Sequence, residues 1–266
     1  MRVVIKIGGA ALEEKSSLRN CARAVVELAN DAHTVAVVHG GGSAMTRMLQ
    51  RLGKESEFIN GLRVTDAETR DVAVMVLAGI VNKSLVAAIC AAGQPAIGLC
   101  GADGMAFRAR KKNTNGHDLG YVGEIVSGDA RWMEAIWQQG GIPVISSVAL
   151  GNDGEYYNVN ADQMAASCAV ACRADALIFL TDVPGVKDAE GAVMPWLGMK
   201  QVPGLINDSV IGGGMLPKLE ACGHALHHGV GRVRIFPAQE VHQLPQFYFS
   251  KLECGTEVLS ACASPT

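Results

Sequence analysis

The sequence predicts an α/β fold, with helices covering both faces of a central sheet. Three observations carry this. Short apolar runs alternate with segments of helical periodicity along the whole chain. Several of those runs stop at clustered glycines, as strands do at the carboxyl edge of an open sheet. And 49% of the 266 residues are apolar, enough to bury a sheet on both sides.

Taken in order, residues 2–7 form an apolar strand that ends at Gly8-Gly9. Residues 14–30 are helical, with Leu18, Cys21, Val25 and Leu28 on one face. A second buried strand, 35–38, runs into His39-Gly40-Gly41-Gly42, and a helix over 43–52 follows. Asp66 is a good N-cap for a helix reaching to residue 92. The next strand, 95–99, stops at Gly101-Ala102-Asp103-Gly104. Residues 105–126 are more polar and read as a hairpin around Asn113-Thr114-Asn115-Gly116. Then come a helix at 130–139, a strand at 142–146, a helix at 161–172 and a strand at 176–180. Segments 200–206 and 216–228 are helical, 232–236 is a last core strand, and 255–259 reads as a closing edge strand. There is no linker, repeat or low-complexity tract. A soft boundary at 172–175 divides the chain into two lobes, 1–172 and 173–266, that share one sheet.

Bulk properties exclude several roles. Charged residues make up 18% and the formal net charge is −3, so no nucleic-acid or polyanion partner is expected. No apolar run approaches the roughly 18 residues a membrane span requires, and the N-terminus does not read as a signal peptide. The eight cysteines include no C-x-x-C pair, which suits reduced thiols and a cytoplasmic location.

Glycines after strands let backbone N–H groups approach an anion, and helix N-termini add favourable dipole charge. Gly8-Gly9, Gly40-Gly41-Gly42, Gly101/Gly104 and Gly212-Gly213-Gly214 are four such turns. Each alone could be ordinary turn chemistry; together they point to an anion site. Lys6, near the end of a buried strand, and Lys218, in the first turn of a helix, both occupy positions unfavourable to a cation. In Asn158-Val159-Asn160-Ala161-Asp162, Asn160 can cap the helix, which leaves Asn158 and Asp162 unexplained. Arg63, in a turn before a helix, suits bidentate capture of a carboxylate. No P-loop, complete dinucleotide fingerprint or G-x-S-x-G elbow is present. Cys168/Cys172 and His224/His227/His228 lack the complementary spacing of a zinc site, so no resident metal is expected.

Val4-Ile5-Lys6-Ile7-Gly8-Gly9, Val38-His39-Gly40-Gly41-Gly42, Asn60-Gly61-Leu62-Arg63-Val64-Thr65, Asn158-Val159-Asn160-Ala161-Asp162 and Thr181-Asp182-Val183-Pro184-Gly185-Val186 occur in this order. Together they resemble the N-acetylglutamate kinases, a branch of the amino acid kinase family, over essentially the whole chain. The resemblance implies a three-layer αβα sandwich with a central, mostly parallel sheet. It implies transfer of phosphate from ATP, with Mg²⁺, to the γ-carboxylate of N-acetyl-L-glutamate in arginine biosynthesis. By resemblance, Lys6 and Lys218 stabilise the moving phosphoryl group, Gly8 and Gly9 donate N–H groups to it, and Asp162 holds the lysines. Gly41, Gly42, Arg63 and Asn158 hold the amino acid, with Arg63 on its α-carboxylate. Asp182, Val183, Gly185, Lys187, Val210, Ile211 and Gly212 line the nucleotide site. The first strand begins at residue 2, without the preceding helix of ring-forming, arginine-inhibited members, so a homodimer insensitive to arginine is expected. N-succinylglutamate and a carrier-linked aminoadipate or glutamate are alternative substrates; residues 108–112, rich in arginine and lysine, could receive an acidic carrier. A catalytically silent binding protein is the remaining alternative, opposed by the presence of Lys6, Asp162 and Lys218.

Overall fold

A computed structural model describes residues 1–114, 116–246 and 254–260. Strand β1 (Arg2–Ile7) is buried from Val3 onward and turns through Gly8 into helices α1 (Gly9–Glu13) and α2 (Lys15–Asn30). Strand β2 (Thr34–His39) leads through Gly40-Gly41 into α3 (Gly42–Arg51). The short strands β3 (Phe58–Ile59) and β4 (Leu62–Arg63) pair as a hairpin. Asp66 caps the next helix, accepting from the Thr69 N–H at 2.9 Å. That helix runs through α4 (Ala67–Ala73), a π-helical stretch (Val74–Val81) and α5 (Asn82–Ala91).

Strand β5 (Ala96–Cys100) is followed by the antiparallel pair β6 (Phe107–Lys111) and β7 (Val122–Gly128). Helix α6 (Arg131–Gln138) precedes β8 (Ile142–Ser146), β9 (Val148–Gly151) and β10 (Tyr156–Val159). Helix α7 (Ala161–Ala171) begins at Asn160, whose Oδ1 accepts from the N–H groups of Asp162 and Gln163. The chain continues through β11 (Ala176–Thr181), β12 (Trp196–Gly198), α8 (Val202–Asn207), α9 (Met215–His227), β13 (Arg232–Pro237) and β14 (Thr256–Leu259).

Eight strands form one sheet in the order β12-β14-β13-β11-β1-β2-β8-β5. Its pairings are parallel except β13 with β14. Alternate residues face opposite sides, as the pleat requires. Val4, Val38, Phe179 and Ile235 pack towards α7 and α9. Val3, Ile5, Val37 and Ile178 pack towards α2 and α5. Helices therefore cover both faces, and the three-layer, mostly parallel αβα arrangement holds. The half of the sheet from β1 to β5 comes from residues before 147, and the other half from residues after 175.

Three expectations are corrected. Strand β14 lies inside the sheet, between β12 and β13, rather than closing its edge. Residues 60–65 are not simply a turn: Arg63 sits in strand β4 and is buried. Finally, β6, β7, β9 and β10 close into a small barrel, where the sequence suggested an isolated hairpin. Strands of four to seven residues carry too little periodicity to announce such closure. The helical stretch Ala67–Ala91 is long and apolar enough to cross a membrane, but Val72, Val76, Leu77, Leu85 and Ile89 are buried in the cores, so it is a core helix.

Candidate active site

The carboxyl ends of β1, β2 and β11 open onto a cavity of about 580 Å³. On one wall stand Lys6, Gly8 and Gly9; on another, Gly42 and Ser43; across from them, Thr181, Asp182, Val183, Gly212, Gly214 and Lys218. Ligands collect at this end of open α/β sheets because strand termini and helix N-termini leave backbone N–H groups unpaired there.

The chemistry centres on Asp162, the second residue of α7. The Lys6 ammonium lies 2.9 Å from Asp162 Oδ1 and the Lys218 ammonium 2.9 Å from Oδ2. All three are buried, with 9%, 7% and 6% of Lys6, Asp162 and Lys218 exposed. Two buried ammonium groups share one carboxylate, so the cluster carries a net positive charge at neutral pH. Burial alone would raise the Asp162 carboxyl, but the two lysines outweigh it and hold it below the usual range. Burial, and then the charge of Lys6, depress Lys218 despite its bond to Asp162. Its ammonium also lies 5.3 Å from the Phe179 ring centroid, which gives it a favourable face in a dry wall. An uncompensated buried charge is costly, and an incoming anion would relieve it.

Arg63 centres a second polar group. One guanidinium nitrogen donates to the Gly42 carbonyl at 3.0 Å and to Thr46 Oγ1 at 2.8 Å; another donates to the Ser56 hydroxyl. The Phe58 ring covers the guanidinium at 4.5 Å. Thr65 Oγ1 donates to the Arg63 carbonyl and accepts from the Asn158 amide at 3.2 Å. Gly42, Arg63 and Asn158, far apart in sequence, thus form one connected group next to the cavity. Gly41 packs against the π-helical stretch so closely that a Cβ would lie 2.8 Å from Leu77 Cδ2.

The nucleotide set divides. Asp182, Val183 and Gly212 line the cavity. Gly185 is buried, and a Cβ there would meet Thr256 and Val193; Lys187 is exposed and bridges to Val193. Neither Val210 nor Ile211 lines the cavity, and the Ile211 side chain belongs to the core. Sequence reasoning also missed residues the cavity uses. Thr181 and Met215 line it, and so does Ser43, whose hydroxyl bonds the Glu13 carboxylate and lowers its pKa. A serine directly after three glycines and at a helix start was the available signal for Ser43.

Among the described residues no magnesium cage is built. Both oxygens of Asp162 are taken by lysines, and among the described residues no group of three His, Cys, Asp or Glu side chains converges.

An α/β sheet whose carboxyl edge holds glycine-lined anion turns and a buried pair of lysines defines a phosphotransferase class. Consistent with this, the amino acid kinase family model matches residues 1–237, and the chain belongs to that family. Among curated proteins it is similar to the acetylglutamate kinase of Acidobacterium capsulatum, 62% identical over 98% of this chain and 100% of that protein. It is also similar to the acetylglutamate kinase of Koribacter versatilis, 55% identical over 98% and 99% of the two. Among solved structures it resembles N-acetylglutamate synthase from Neisseria gonorrhoeae in complex with coenzyme A and N-acetyl-glutamate. That match has a TM-score of 0.85 and 25% identity, and covers 99% of this chain and 60% of the other.

Proposed function

We propose that this chain phosphorylates the γ-carboxylate of N-acetyl-L-glutamate with ATP, as an acetylglutamate kinase of arginine biosynthesis. The observation that carries the reading is the pair of buried lysines sharing Asp162. Both reactants are anions, and two lysines neutralised by only one carboxylate leave a positive charge to receive them. The curated relatives and the connected group Gly42–Arg63–Thr65–Asn158 support the choice of amino acid.

The γ-carboxylate is ionised at neutral pH, so no general base is required. One of its oxygens attacks the γ-phosphorus, the bond to the β–γ bridging oxygen breaks, and ADP leaves with that electron pair. Lys6 and Lys218 stabilise the charge spread over the transferring group, and the Gly9 N–H, at the start of α1 on the cavity wall, can contribute; the Gly8 N–H, expected to do the same, is instead given to the Leu180 carbonyl at 3.1 Å. Asp162 fixes the spacing of the two ammonium groups. Arg63 binds the α-carboxylate, exchanging its bonds to Gly42 and Thr46 for a fork around the ligand. The lobe before residue 172 takes the amino acid; the lobe after it takes the nucleotide against Asp182, Val183 and Gly212. Mg²⁺ bound to the nucleotide phosphates would supply further charge neutralisation.

A carrier-linked substrate is disfavoured by the 108–112 segment. Arg110 pairs with Glu124 at 2.6 Å and Lys111 with Asp118 at 2.7 Å, so two of the four basic side chains of the run are already paired with carboxylates of this chain. We further infer a homodimer formed at the β5 edge. There the exposed Met75 and Ile80 of the π-helical stretch and Ile97 of β5 leave apolar surface uncovered.

The test is ADP release with N-acetyl-L-glutamate, N-succinyl-L-glutamate and free glutamate side by side. Preference for the acetylated substrate by an order of magnitude or more in kcat/KM is expected. Equal use of free glutamate would overturn the assignment.

A further inference from the structure

Asn82 is a fully buried polar side chain that the phosphoryl chemistry does not use. It stands where the π-helical stretch passes into α5, under the carboxyl ends of three strands. Its amide nitrogen donates to the Val144 carbonyl of β8 at 3.0 Å and lies 3.0 Å from His39 Nε2, with the Leu99 carbonyl of β5 at 3.4 Å. Its oxygen accepts from the Lys83 ammonium at 3.2 Å, and Lys83 also donates to the Gly98 carbonyl at 3.1 Å. The seat is made for this side chain: a Cβ on Gly98 would fall 1.8 Å from Asn82 Oδ1.

His39 is equally buried, and its Nδ1 lies 2.8 Å from the Gly40 carbonyl. Carbonyls only accept, so Nδ1 carries the proton. Asn82 donates, so Nε2 is the bare acceptor. The imidazole is therefore neutral and of one tautomer, and burial holds it neutral down to about pH 4. The peptide it anchors opens the Gly40-Gly41-Gly42 loop, and the carbonyl of Gly42 is the one Arg63 holds. The π-helical stretch that ends at Asn82 also sets Leu77 and Val81 against Gly41. One short helical segment thus fixes the loop by packing at Gly41 and by the relay Asn82–His39–Gly40.

We infer that Asn82, acting through His39, is a positioning residue for the amino-acid substrate: it holds the Gly40-Gly41-Gly42 loop where Arg63 and the substrate meet it. This inference rests on the proposed substrate. Asn82 does not touch the lysine clamp and belongs to the opposite face of the sheet, so nucleotide binding should be indifferent to it.

The test is steady-state kinetics on Asn82→Ala, Asn82→Asp and Gly98→Ala, with N-acetyl-L-glutamate and ATP varied separately. Loss of a buried hydrogen-bond partner should raise KM for the amino acid roughly tenfold or more in Asn82→Ala, with KM for ATP changed less than about twofold. Gly98→Ala, which displaces Asn82 without altering it, should shift the same constant in the same direction. Asn82→Asp keeps the shape but presents an acceptor to an acceptor. Its amino-acid KM should therefore fall as pH is lowered from 8 towards 6 and His39 takes up a proton, while the parent enzyme stays flat; a packing role would produce no such dependence. Equal rises in both KM values, no rise in either, or a pH-independent Asn82→Asp would overturn the inference. If Asn82→Ala does not fold, the isosteric Asn82→Asp and the Gly98→Ala variant decide alone. If the parent enzyme does not turn over N-acetyl-L-glutamate, the substrate reading fails instead, and the two failures are distinct.

Discussion

At the ends of neighbouring strands β1 and β2 the sheet buries two polar clusters, one on each face, and they follow opposite rules. Lys6, Asp162 and Lys218 are charged and unequal in sign, and the two lysines line a cavity. His39 and Asn82 are neutral and bonded to backbone carbonyls of β8 and of their own loop. The first cluster is incomplete until an anion arrives, which suits catalysis by differential binding. The second is complete without a ligand, which suits a part whose task is to stay still.

The comparison can be broken most severely at Asp162. Asp162→Ala leaves two buried ammonium groups unpaired, so it should cost on the order of 3–5 kcal/mol of stability in denaturant titrations, along with most of the activity. A loss below about 1 kcal/mol would mean that the cluster is more solvated than its geometry indicates. Next come Lys6→Ala and Lys218→Ala, which should each lower kcat on the order of 10² to 10³ while the thermal midpoint holds. Near-parental turnover by either variant would remove that lysine from the clamp.

On the neutral side the contrast is thermodynamic. His39 is held at about 4 in the folded chain against 6.5 when unfolded. Its neutral form therefore contributes stability fully present above pH 6.5 and lost as pH falls from there through about 4. That contribution is about 3 kcal/mol. His39→Gln should flatten the dependence of stability on pH across that window; an unchanged slope would show that other groups account for it. Arg63→Ala, at the buried guanidinium that holds the Gly42 carbonyl, should raise KM for the amino acid tenfold or more and leave KM for ATP within about twofold, as loss of a charged hydrogen-bond donor predicts. The smallest expected effect is on the pH profile of kcat. Burial and Lys6 depress Lys218, so its basic limb should lie below the ordinary lysine value of about 10.4, and Lys218→Arg should move that limb upward if activity is retained.

The charged cluster was legible in the sequence because each of its members breaks a local rule. Lys6 lies in an apolar strand, Lys218 opposes a helix dipole, and Asp162 stands where the cap is already supplied by Asn160. The neutral cluster breaks none. An asparagine within a long helical pattern and a histidine before glycines have ordinary local readings, and two of the partners of Asn82, His39 and Val144, lie 43 and 62 residues away. Arg63 was legible as a carboxylate ligand, but its burial under Phe58 and its bond to Gly42 were not. Of the residues expected at the nucleotide site, Gly185 sits in the quoted Thr181–Val186 motif and Ile211 beside the Gly212-Gly213-Gly214 turn, yet both turn into the structure.

The sequence by itself determined the alternation of strands and helices and the glycine turns, and marked Lys6 and Lys218 as oddly placed cations, because periodicity, chain reversal and misplaced charge are local properties; that Asp162 joins them was implied only by the family resemblance. Only the tertiary structure decided that β14 inserts beside β13, that four short strands close a barrel, and that Asn82 meets His39 through the space left by Gly98. Those outcomes depend on pairing and volume between segments distant in the chain, and neither quantity is defined until the segments are packed.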